Sequence, residues 1–347
     1  MKGLITFFIL LLYNLSFSQI IHDISVQNPE DKKKENRNSD CFIKATIKGF
    51  STFEEALKCV EYVEYLDFSN QNLTALPSEI GLFSNLKVLN ISNNPIKEIP
   101  NEIGQLSKLE RLLASNTDLE TLPNEIGKLK MLREINLMNS QIKYLPDSFG
   151  IIENLNILNL RNNKLNTLPS SFKNLKNLEY IYFTTNKFDR MPKEIFSLDS
   201  LKIIDFSNNN LTTINKEIGN LKYLKILDIC CNKLTGLPKE ISELDSLYDL
   251  NLSYNHLSNL PIEMKFLDNL FFLKLNNNKF KQFPEVLYEM NQLTQLKINS
   301  NPLKKIDDRI YNLKNLKKFY FYETKLSKRS MNKIKNKLPN CDFFISL

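Results

Sequence analysis

Apolar and polar positions repeat with one spacing along most of the chain. In LKVLNIS (86–92), Leu86, Leu89 and Ile91 read as inward positions, while Val88, Asn90 and Ser92 alternate outward. That is the signature of a short strand with one buried face. An asparagine (Asn94), a proline (Pro100) and an isoleucine (Ile103) follow, and the unit then begins again. The prolines Pro77, Pro100, Pro123, Pro146, Pro169, Pro192, Pro238, Pro261 and Pro284 all fall at multiples of 23 residues, with Asn215 and Asp307 filling the gaps in phase. A fixed period of this length predicts a repeat array rather than several conventional cores. Each unit gives one strand to a parallel sheet. The chain then turns back at the proline and glycine positions (Gly81, Gly104, Gly127, Gly150, Gly219), with Ile80, Ile103 and Ile126 closing the core from the far side.

The asparagine after each strand forms a column of its own: Asn94, Asn163, Asn186, Asn209, Asn232, Asn255, Asn278 and Asn301. A buried amide needs partners, so this column predicts a ladder satisfying backbone groups of neighbouring turns. Gln71, Thr117, Ser140 and Thr324 stand at the same position and should weaken the ladder there.

The ends of the chain follow other patterns. MKGLITFFILLLYNLSFSQ has a basic start at Lys2, an apolar run from Leu4 to Tyr13 and small residues at Ser16 and Ser18. The run is shorter than the roughly 20 residues a membrane span needs, so residues 1–18 are expected to be a signal peptide. No cysteine follows the run directly, so no lipoprotein anchor is expected. Residues 19–40 are polar and aperiodic and predict a flexible linker. Residues 41–61 predict an N-terminal cap, with Ser51 and Glu54 as a capping box and Phe53, Leu57 and Val60 on one helical face. The repeats fill 62–326. Residues 327–347 predict a C-terminal cap, a helix burying Met331, Ile334 and Leu338 followed by an edge strand in LPNCDFFI. With both ends of the array closed, a single complete domain is expected.

LKVLNISNNPI (86–96) and LNILNLRNNKL (155–165) resemble the L-x-x-L-x-L-x-x-N-x-L core of the leucine-rich repeat family. The tails LPNEIGKL (122–129) and IPNEIGQL (99–106) resemble the 23-residue LPxEIG class of bacterial exported proteins, itself similar to Ras-group repeats. The resemblance implies an α/β repeat solenoid, a horseshoe of about 12 repeats with a concave parallel β-sheet. It does not imply a ligand, since this scaffold carries many.

Candidate chemistry is sparse. The only histidines are His22 and His256, and no phosphate-binding glycine loop, HExxH or CxxC occurs. Cys231 and His256 lie on adjacent turns and form the best catalytic dyad, but nothing nearby would orient the imidazole. A Cys/His enzyme or redox site is therefore the third reading, and no catalytic residue, cofactor or metal is expected. Cys230 and Cys231 stand where other repeats carry Ser92 and Asn93, which suggests small contact residues on the concave face. Cys41 and Cys59 bracket the front cap and could pair once exported. Cys341 is expected inside the rear cap.

The outward positions offer more. The first outward column runs through Ile157, Tyr180, Ile203 and Ile226, then Asp249 and Phe272, with Tyr182 beside it. Folding alone would be served as well by polar residues there, and contiguous exposed apolar patches mark interaction sites. Asp205, Asp228 and Asp249 form an acidic spot, to which Asn251 could add an oxygen for Ca2+, although no dedicated loop completes such a shell. Lys274, Lys297 and Lys318 form a basic one. The chain carries +7 overall, but residues 304–337 alone carry twelve Lys or Arg against three Asp or Glu. Together these features predict a non-catalytic, monomeric, exported protein that binds a protein or peptide through its concave face. It would lie in the periplasm, on the cell surface or outside the cell. The alternative is binding of an anionic glycan or membrane surface through the basic C-terminal cap. Nucleic acid is disfavoured by export and by the lack of any recognised binding motif.

Overall fold

The computed structural model describes residues 39–41, 43, 44, 49, 50 and 52–344. The expected signal peptide, and the linker as far as residue 38, lie outside the described residues. Contacts divide the chain into two compact units, Met1–Tyr62 and Val63–Leu347.

In the first unit, Cys41 and Cys59 are joined by a disulfide (S–S 2.01 Å). Helix α1 spans Phe53–Leu57 and is capped by Thr52, whose side chain accepts from the Glu55 N–H at 3.2 Å. This corrects the expected capping box on Ser51 and Glu54. Ser51 lies outside the described residues, and the capping pair begins one residue later. The Glu55 carboxylate reaches Lys44 Nζ at 2.6 Å, and Asp40 lies 3.5 Å from the same amine. The helix stops at Leu57 and a 3-10 turn starts at Val60, so Phe53, Leu57 and Val60 do not form one continuous helical face. Between Phe53 and Val60 the buried residues are instead Ala56 and Cys59.

The second unit is a solenoid. Its strands are three residues long: β1 (Tyr65–Asp67), β2 (Val88–Asn90), β3 (Arg111–Leu113), β4 (Glu134–Asn136), β5 (Ile157–Asn159), β6 (Tyr180–Tyr182), β7 (Ile203–Asp205), β8 (Ile226–Asp228), β9 (Asp249–Asn251), β10 (Phe272–Lys274), β11 (Gln295–Lys297), β12 (Lys318–Tyr320) and β13 (Asp342–Phe344). They form one open, curved parallel sheet in sequence order. From β1 to β12 each pairing joins residues one repeat apart, for example Ile203 with Ile226. In β1 to β12 each central strand residue is buried and both flanking residues face outward, while Phe343 at the centre of β13 is half-buried.

A five-residue 3-10 turn such as Asn101–Gln105 returns the chain, entered through a proline in extended conformation (Pro100, φ −68°, ψ 155°). Proline has no N–H to leave unpaired and its φ is already set. Asp307 replaces it where an N–H is useful: that N–H donates to the Tyr288 hydroxyl at 3.0 Å, and the Asp307 carboxylate accepts from the Arg309 N–H. Glycine is required where successive turns nearly touch. A Cβ on Gly127 would sit 2.5 Å from the Ser148 carbonyl oxygen, and one on Gly150 would lie closer still to that of Ser171.

The asparagine column holds the turns together. The Asn209 amide donates to the carbonyls of Phe183 (2.9 Å), Phe206 (3.1 Å) and Ser207 (3.2 Å), and its oxygen accepts from Phe188 N–H at 3.1 Å. Asn94, Asn163, Asn186, Asn232, Asn255, Asn278 and Asn301 donate in the same pattern. Thr117 and Ser140 make a smaller version, both reaching the Ala114 carbonyl and each other. At the far end, helix α2 (Lys328–Lys337) is capped by Ser327 and buries Ile334 and Leu338, Met331 is half-buried, and Cys341 is buried ahead of β13.

Candidate functional site

The exposed face of the sheet is set by the two outward residues of each strand. Ile157, Tyr180, Ile203, Ile226, Asp249 and Phe272 stand side by side across six adjacent strands. All six are half-buried, because neighbours one strand spacing (about 4.8 Å) away lean on each other. Tyr182 lies in the adjacent column, opposite Asp205. The Arg161 guanidinium lies over its ring, 3.9 Å from the centroid, and 3.6 Å from Asp205 Oδ2. Arg161 carries no signal in the outward columns, since it follows the strand rather than belonging to it.

The three aspartates are not free carboxylates. Asp205 Oδ1 accepts from the Ser207 N–H (3.0 Å) and hydroxyl (2.6 Å), and its Oδ2 accepts from Thr184. Asp228 accepts from the Cys230 N–H at 3.0 Å and the Asn251 amide at 2.9 Å. Asp249 is paired with Lys274, at 2.9 and 3.1 Å. Asp205 and Asp228 therefore share a backbone role with Asn90, Asn136, Asn159 and Asn251, each accepting from the N–H two residues on and closing the strand end. The acidic and basic spots also merge, since Asp249 and Lys274 neutralise one another, while Lys297 lies 4.9 Å over the Tyr320 ring. Among the described residues no group of three His, Cys, Asp or Glu side chains is placed to hold a metal ion.

The leucine-rich repeat region family matches residues 55–140 and 123–234, more than half of the chain, and the leucine rich repeat family matches 222–280. The chain is a leucine-rich repeat protein. No curated protein matches it. A plant peptide hormone receptor, RGFR1, solved in complex with RGF2, is 26% identical over 82% of this chain and 51% of its own, with a TM-score of 0.63. The protein thus spans about half the length of that receptor. An internalin of Listeria monocytogenes is 22% identical over 90% of this chain and 94% of its own (TM-score 0.65), a likeness of fold. A leucine-rich repeat protein of Leptospira interrogans is 28% identical over 85% of this chain and 99% of its own, with a TM-score of 0.44. Among the described residues no helix is long and apolar enough to cross a membrane.

The leucine-rich repeat frame explains the paired cysteines. One residue per repeat, just before the ladder position, takes a left-handed backbone: Asn93 (φ 59°), Asn116, Asn139, Asn162, Thr185, Asn208, Cys231 (φ 56°), Tyr254, Asn277, Ser300 and Glu323. Asparagine tolerates that conformation best after glycine. Where it occupies consecutive repeats, from Asn93 to Asn162, the side chains form a second, exposed ladder, with Asn116 donating to Asn93, Asn139 to Asn116 and Asn162 to Asn139 at 2.6 to 3.0 Å. Cys231 is thus a turn residue whose backbone shape is dictated, while its side chain, like that of Cys230, stays partly exposed. No hydrogen bond joins it to His256, which is exposed.

Cys230 and Cys341 are poor nucleophiles. Burial, and then the neighbouring Asp228 carboxylate, push the Cys230 thiol far above its ordinary range. Burial, then Asp342, push Cys341 up to about 12. Only the thiolate reacts. At pH 8, iodoacetamide is expected to label Cys341 at least about 100-fold more slowly than an ordinary exposed thiol, whose pKa is about 8.5. Its rate should keep climbing, about tenfold per pH unit, beyond pH 10. Mass spectrometry of timed samples checks this, and rapid labelling of Cys341 in the folded protein would contradict it.

An aromatic cluster beside the concave columns was not legible from the outward positions alone. Tyr248 and Phe271 precede strands β9 and β10, and with Phe272 they make ring contacts of 5.4 and 4.9 Å centred on Tyr248. Together with Thr294, Gln295, Lys317 and Lys318 they line an open cleft of about 440 Å3.

Proposed function

We propose that this leucine-rich repeat protein is exported and recognises another protein or a peptide through its concave sheet, without catalysis. The observation carrying the reading is the unbroken row Ile157, Tyr180, Ile203 and Ile226 on the solvent side of four adjacent strands, flanked by Tyr182. The row has no role in the core, which the central strand residues already fill. Phe272 extends it beyond the neutralised Asp249–Lys274 pair. The plant receptor solved with RGF2 supports a peptide-binding use of a similar scaffold. Asp205 and Asp228 belong to this reading as rigid acceptors, fixed by the backbone they close, more than as free charges. Lys297 stands at the basic end of the same face.

The second reading rests on charge. Residues 304–337 hold a large basic excess, and the ion pairs there involve only Arg309 and Lys333. An anionic glycan or membrane surface could settle on the remaining lysines.

The two readings separate in one pull-down from cell-surface and secreted extracts. It uses protein lacking residues 1–18 beside a folded Tyr180→Asp/Ile203→Asp variant, at low salt and at about 0.5 M, where the Debye length falls to about 4 Å. A partner retained by the parent at high salt and missed by the variant supports the concave face. Equal capture by both forms, lost with salt, moves the function to the basic end.

A further inference from the structure

The cleft beside strands β9 to β12 differs from the apolar row in shape and charge. Tyr248 stands 44% exposed at its mouth. Its ring meets Phe272 edge-on, 65° between planes, and lies tilted against Phe271. The Thr294 hydroxyl is already engaged with the Phe271 carbonyl at 3.1 Å, which leaves the floor mostly apolar. The rim is cationic: Lys317 and Lys318 line one side, and Lys225 stands one repeat before Tyr248 on the other. None of the three amines forms an ion pair with a described carboxylate, and all three are exposed. Of the acids beside the cleft, Asp249 is neutralised by Lys274, and Asp342 stands opposite Lys318 on β13 without forming an ion pair with it.

Resting on the concave-face reading, we propose that this cleft is the anchor point for an extended acidic peptide. An aromatic side chain of the peptide sits among Tyr248, Phe271 and Phe272, and carboxylates on either side of it meet Lys225, Lys317 and Lys318. The tilted rings form a slot of edges and faces that suits one inserted ring, since aromatic pairs favour edge-to-face and offset contacts. A sugar would need several unengaged hydrogen-bonding groups, and the mostly apolar floor offers few, with the Thr294 hydroxyl already taken. The cations steer and orient the peptide more than they hold it. Affinity should therefore depend chiefly on the aromatic anchor, as at other hot spots.

The test selects binders from a displayed library of random linear peptides against the folded protein, then measures synthetic copies by fluorescence anisotropy. Selected sequences are expected to carry Phe, Tyr or Trp beside Asp or Glu. Their Kd should weaken at least about tenfold with Phe271→Ser and severalfold with Lys318→Glu. Lys318 is exposed, so that variant reports on the cleft even if the phenylalanine change disturbs folding. Binders lost with Ile203→Asp but unaffected by both cleft variants overturn this proposal and leave concave recognition standing. Binders unaffected by all three remove both, whereas no binders at all overturns the peptide proposal and leaves recognition of a folded protein standing. Binding of a polygalacturonate oligomer that depends on Lys318 but not on Phe271 would make the cleft a glycan site and overturn the peptide assignment.

Discussion

Replacing Asn209 with alanine is expected to lower the stability of the repeat array by about 2–4 kcal/mol, although it removes only a small polar side chain. The loss is unevenly shared among its four partners. The carbonyls of Phe183 and Phe206 keep a second donor from Asn186 and Asn232, and that of Ser207 keeps the Thr185 N–H. The Phe188 N–H, which donates to the Asn209 oxygen, is left unpaired in the interior. A buried donor without a partner costs about 1–3 kcal/mol, and the weakened carbonyl bonds and the small void add to it. Asn209→Thr should be milder. Thr117 and Thr324 occupy the same column and both keep the bond to the carbonyl three residues back, at 3.1 Å. Urea unfolding measures the difference, and amide exchange at Phe188 locates it. A cost below about 1 kcal/mol with Phe188 still protected would show that the ladder is not what joins these turns.

The ladder illustrates how much of the fold can be read from the sequence. A strict period brings every unit into one geometry, so one unit's alternation fixes the strands, the buried column and the turn-back at once. Context within a unit is harder to read. Asp205 and Asp228 look like exposed charges because they alternate outward, yet each closes its strand end by accepting the N–H two residues on. Cys231 looks like a replacement for a small polar residue, but its position demands a left-handed backbone, a property of φ that one residue type does not reveal. The candidate concave residues share one face because of the two-residue period. Tyr248 and Phe271 escape it because they precede the strands, where the chain has not yet settled into alternation. The conservative ends behave similarly: the helix and last strand at 328–344 follow from spacing, whereas the front helix is one turn long and its cap shifts by a residue.

Truncating Phe206 to alanine is expected to have the largest effect, about 3–5 kcal/mol. Phe183, Phe188 and Phe206 form a closed triangle with centroids 5.0 to 5.3 Å apart, all without solvent exposure. Phe183 follows β6 and Phe206 follows β7, so the triangle bonds two successive repeats beneath Tyr180, Tyr182 and Ile203. Interiors are packed too tightly to collapse around a missing ring, so transfer and cavity terms add. In a solenoid each repeat contacts only its neighbours, and the damage has a direction as well as a size. The weakened junction separates the repeats before it from those after it. A single cooperative transition should therefore broaden or split, with hydrogen exchange rising first in β6 and β7. By contrast, Tyr223→Ala at a position 64% exposed should change stability by less than about 0.5 kcal/mol. A Phe206→Ala variant that unfolds in one sharp step, only slightly earlier than the parent, would mean that the repeats are coupled through the sheet and the asparagine ladder rather than through their aromatic core.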